Sequence, residues 1–65
     1  MLTVERICGR QISIEIGEVP GVGWVAIGIV TEGLGHEKSM RFEGRAHDAP
    51  GAEQRLRMEI EAAFA

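Results

Sequence analysis

His47-Asp48-Ala49-Pro50 divides the chain into two hydrophobic periods: before it apolar residues alternate every second position, and after it they recur at helical spacing. Upstream, Ile12, Ile14 and Ile16 alternate with polar residues, as do Met40 and Phe42, while Val25, Ile27 and Ile29 alternate with smaller or aromatic ones. Downstream, Ala52, Leu56, Ile60, Ala63 and Phe64 form one stripe of a helix. Asp48 is a good N-cap acceptor, and Pro50 sits in the first turn, where a missing N–H costs nothing. Met58 falls opposite Leu56 on the wheel and is expected to be exposed. The fold class is therefore α+β: a three-stranded antiparallel meander with one C-terminal helix packed on one face.

Val19-Pro20-Gly21-Val22 predicts a type II turn, because proline presets a negative φ at the second position and glycine accepts a positive φ at the third. Type II turns match the twist of a tight hairpin less well than the primed types do. If Val19 faces Val22, then Ile16 lies opposite Val25, Ile14 opposite Ile27 and Ile12 opposite Ile29, all on one face. The loop 32–37, with Gly33 and Gly35, then leads into a strand within 38–46 that places Met40 opposite Ile29 and Phe42 opposite Ile27. The expected core is Ile12, Ile14, Ile16, Val25, Ile27, Ile29, Met40, Phe42, Leu56, Ile60 and Phe64, each contributing about 1.5–3 kcal/mol when fully buried. Residues 1–9 admit two readings. Thr3 could cap one helical turn that stops at Gly9, or Leu2 and Val4 could belong to a fourth, edge strand turning at Cys8-Gly9; the Val and Ile content favours the strand.

With 65 residues and no repeat or linker, residues 1–65 are expected to be one small domain. A short chain buries a small fraction of its surface, so association with a second copy or a partner would add stability. The net charge of −3 and pI near 5.2 weigh against a general binder of nucleic acid or anionic membrane. A lone Cys8 excludes an internal disulfide, and no apolar run approaches a membrane span, so a reducing cytoplasmic location is expected.

Sites of chemistry are sparse. Cys8, His36 and His47 lack the paired spacing of zinc ligands, and Cys8 has no partner base that would make it a nucleophile. The carboxylates of Glu15, Glu18, Glu32, Glu37 and Glu43 form no acid–base pair by spacing and read as solvating groups. Gly33-Leu34-Gly35 lacks the following lysine or helix start of a phosphate cradle. No catalytic, metal or cofactor site is expected.

The outer sheet face offers more. The expected register turns Trp24, Ala26, Gly28 and Val30 away from the helix, beside Arg41 and Arg45. An aromatic ring among small residues with arginines alongside fits a docking platform. The sequence reading is thus a non-enzymatic protein that associates, as a homodimer or with a protein partner, through Trp24, Ala26, Val30, Arg41 and Arg45. The alternative is single-stranded nucleic-acid binding by Trp24, Arg41 and Arg45. The order of elements over Arg10 to Ala65 is similar to the second half of double-stranded RNA-binding domains. Where those domains carry lysines at the start of the helix, this chain has Asp48 and Glu53, and the family is not adopted.

Overall fold

The computed structural model describes residues 2–65. Four antiparallel strands, β1 (Leu2–Ile7), β2 (Arg10–Val19), β3 (Gly23–Glu32) and β4 (Arg41–Ala46), form one sheet in chain order and are followed by α1 (Ala49–Phe64). The strand reading of the N-terminal segment is the observed one. Cys8 and Gly9, with φ of 52° and 78°, make a two-residue hairpin loop that pairs Ile7 with Arg10. Two successive positive φ angles match the right-handed twist of the flanking strands.

Asp48 caps α1, its Oδ1 accepting from the Gly51 N–H at 2.7 Å. Ala52, Leu56 and Ile60 are buried, and Met58 is exposed on the far flank, as the helical stripe requires. The helix lies chiefly over β4 and β3 and only marginally over β1.

The hairpin between β2 and β3 corrects the expected register. The turn is of the expected kind, with the Val22 N–H donating to the Val19 carbonyl at 3.0 Å and Gly21 at φ 80°. Val19, however, pairs with Gly23 rather than Val22, so the loop holds three residues. Gly23, at φ 112°, absorbs the twist that a type II turn does not supply. This one-residue change brings Ile16 opposite Ala26, Ile14 opposite Gly28 and Ile12 opposite Val30. Every side chain of β3 consequently changes face. Val25, Ile27 and Ile29, expected in the core, turn away from the helix, whereas Trp24, Ala26, Gly28 and Val30 turn towards it. Along β4 the register moves as well, with Gly28 opposite Phe42 and Ile29 opposite Arg41.

Helix packing explains why this phase is the stable one. A Cβ at Gly44 would run into the α1 backbone at Ala52 and Leu56, and one at Gly28 would lie 3.2–3.4 Å from the side chains of Ile12, Leu56 and Ile60. Glycine and alanine beneath α1 let it approach the sheet closely enough to bury Leu56 and Ile60 completely. The core is Ile7, Ile12, Ile14, Ala26, Val30, Ala52, Leu56 and Ile60, with Ile16, Trp24, Met40, Phe42 and Phe64 packed on its margin. Phe42 and Phe64 meet edge to face, their centroids 5.6 Å apart.

Candidate interaction surface

The five residues expected to form one docking platform divide between the two faces of the sheet. Ala26 and Val30 are buried under α1, and Trp24 is half-buried against the core margin. Arg41 and Arg45 lie on the opposite face and are exposed. Trp24 is paired with Ala46, while Arg45 stands beside Val25. A joint platform of indole and guanidinium groups is therefore not assembled, either for a protein or for stacked bases. The missed signal was volume: in a sheet, small residues mark a close approach by another backbone, and Ala26, Gly28 and Gly44 mark the seat of α1.

What faces outward instead is an aliphatic band. One cross-strand row runs Leu2, Glu15, Ile27, Glu43, and the next runs Val4, Ser13, Ile29, Arg41. Val25 continues the band between Gly17 and Arg45. Leu2, Val4 and Ile29 are 62%, 56% and 40% exposed. Glu43 sits between the two arginines, 3.0 Å from Arg45 Nε and 3.9 Å from Arg41 Nη1. The apolar strip thus has acidic and basic residues on one flank and the acidic Glu15 within it.

A second concave feature lies where the free edge of β4 meets the flank of α1. It encloses about 700 Å³, bounded by Glu43, Arg45 and Ala46 on the strand and by Gln54, Arg55 and Met58 on the helix. Because the Val30 N–H donates to the Met40 carbonyl at 3.0 Å, the same level of the ladder continues through Phe42, Gly44 and Ala46. Alternate residues of an antiparallel strand bond opposite sides, so Arg41, Glu43 and Arg45 direct their N–H and C=O groups out of the sheet's edge.

Two ion-pair clusters tie the ends of the chain to the sheet. Arg57 bridges Glu5 of β1 and Glu53 one turn earlier in α1, and these bonds, Glu5 first, raise the guanidinium pKa further. Arg10 donates from Nε and Nη2 to Glu37 at 2.9 and 2.7 Å, and its guanidinium lies 4.2 Å from the Phe64 ring centre. Glu37, read from the sequence as a solvating group, is thereby a fastener between β2, the 3₁₀ turn at Gly35–Glu37 and the end of α1. The bond from Arg10, followed by that from the Leu34 N–H, lowers its carboxyl pKa from 4.5 to about 2. A depressed carboxyl contributes stability that is fully present above its unfolded value and is lost as pH falls through the folded one. Urea midpoints of the native protein should therefore exceed those of Glu37→Gln at pH 6, with the gap closing between pH 4.5 and about 2. A gap unchanged across that window would show that the carboxylate is not the stabilising form.

No group of three metal-ligating side chains occurs among the described residues, and Cys8 is exposed at its turn. No helix among them is long and apolar enough to cross a membrane. No family model matches the chain, and no curated protein or solved structure is found to be similar to it.

Proposed function

We propose that this is a non-enzymatic interaction protein that self-associates through the uncovered sheet face. The observation that carries the reading is the band of Val25, Ile27 and Ile29 with Leu2 and Val4, which α1 leaves open to solvent. A sheet with one covered face normally presents polar residues on the other, so aliphatic residues on the central strand of the open face call for a cover. Four strands spaced at about 4.8 Å, over about six residues at ~3.3 Å each, offer roughly 400–600 Å² per copy. Two such faces bury about 1,000 Å², near the lower limit of a specific interface. Arg41, Arg45, Glu15 and Glu43 give the face both signs of charge, which suits a second copy of itself better than a strongly charged polymer. The lone Cys8 agrees with a reducing cytoplasmic setting.

Ile29→Glu places a carboxylate in the centre of this band without touching the core. Light scattering over a concentration series should give a mass rising above 7.1 kDa for the native protein and a constant 7.1 kDa for the variant. An equal rise in both would move association to another surface. Trp24→Ala, on the other face, should lower thermal stability and leave the mass of the folded protein unchanged.

A further inference from the structure

From the groove beside β4 we infer a second binding site, at the edge of the sheet and sharing only the charged Arg41–Arg45 flank with the open face, that takes an extended peptide by strand addition. Arg41, Glu43 and Arg45 supply the outward N–H and C=O groups that an added strand would pair with. The flank of α1, with Gln54, Arg55 and Met58, overhangs the position such a strand would occupy, and Met58 is 59% exposed there. Edge and overhang together make a slot, bounded at one end by His47, Asp48 and Gly51 where β4 passes into α1.

A second copy of this chain does not fit the slot through its own β4. The space a Gly44 Cβ would need is filled by the α1 backbone, so α1 lies directly over β4. Pairing two β4 strands about a two-fold axis near Gly44 would set their helices about 5 Å apart, where packed helices need about 8–10 Å. The occupant must be a strand without a helix of its own above it.

Charge specifies its sequence. On the open face of the sheet, β4 presents Arg41, Glu43 and Arg45, and the guanidinium-bearing side chains are 56% and 63% exposed. Residues directly across an antiparallel pair interact, and opposite charges there are favourable. The ligand is therefore a segment with acidic residues at positions i and i+4, a basic or polar residue between them at i+2, and apolar residues at i+1 and i+3 that turn under Met58.

The blocked peptide Thr-Glu-Val-Lys-Val-Glu-Thr is the probe, titrated into isotopically labelled protein and followed by amide shifts. Saturable binding is expected, with the largest shifts at Arg41, Glu43 and Arg45. N-methylation of the lysine and glutamates removes the donors that face β4 and should weaken binding at least about tenfold, whereas N-methylation of the two valines should change it less than about twofold. The double variant Arg41→Glu, Arg45→Glu should weaken it about fivefold or more, with recovery by Thr-Lys-Val-Lys-Val-Lys-Thr, whose lysines face Glu43 and the two new carboxylates. The site is refuted by equal binding of both methylated peptides, by shifts confined to the Ile27–Ile29 face or to β1, or by no shift at about 1 mM peptide. Binding of the peptide by the Ile29→Glu variant with the affinity of the native protein separates this site from the sheet-face interface.

Discussion

Gly44→Ala should abolish the cooperative unfolding transition, or lower its midpoint by at least about 12 °C, because the added methyl group has no place to go. The Cβ direction is blocked by the helix backbone at Ala52 and Leu56, which cannot swing aside as a side-chain end does. Gly44 does not occupy the left-handed region, so alanine is otherwise acceptable there and should favour a strand slightly. Any loss is therefore steric. Overpacking of ordinary core sites costs about 1–3 kcal/mol, and a backbone obstacle places this site at about 3 kcal/mol or more. A domain of this size has about 3–10 kcal/mol in total. Gly28→Ala is the control: its obstacles are the methyl ends of Ile12, Leu56 and Ile60, which yield by a few tenths of an ångström, so about 1 kcal/mol or less is expected. Similar transitions for the two variants would mean that α1 does not seat on β4 as described.

Leu56→Ala should cost about 2–5 kcal/mol, read as a fall in the urea midpoint with an unchanged slope. Leu56 is fully buried and reaches down to Gly28 beneath the helix. Gly28 below it contributes no side chain to the vacated volume, which the side chains of Ile12 and Ile60 border. How far these two side chains relax into the void sets where in that range the cost falls. Met58→Ala, two residues away on the exposed flank, should change stability by less than about 0.5 kcal/mol. Equal effects at the two positions would contradict the assignment of the buried stripe.

Much of the fold is legible because periods of 3.6 and 2 are distinct. The switch at His47-Asp48-Ala49-Pro50, the Asp48 cap and the Leu56–Ile60 stripe define α1, and the Val19–Val22 turn joins β2 to β3 as expected. Which face of β3 points inward is not legible from alternation alone. Trp24, Ala26, Gly28 and Val30 alternate as regularly as Val25, Ile27 and Ile29, so hydrophobicity favours the wrong set. A single residue in the turn decides the matter, and Gly23 with its positive φ is that residue. Counting volume rather than hydropathy would have pointed to Gly28 and Gly44 as the helix seat. The same one-residue shift turns Trp24 towards the helix and the aliphatic band outward, while Arg41 and Arg45 keep the side that the alternation of Met40 and Phe42 assigns them. The Arg10–Glu37 pair spans 27 positions and has no local pattern that could announce it.

An isotope-filtered NOE spectrum on an equal mixture of labelled and unlabelled protein looks directly at what covers the open face. Self-association through that face gives intermolecular contacts from the methyl groups of Val25, Ile27, Ile29, Leu2 and Val4, and none from Leu56 or the Trp24 indole. Intermolecular contacts from Trp24 or Met58 with none from Ile27 and Ile29, or no intermolecular contacts at millimolar protein, would contradict it.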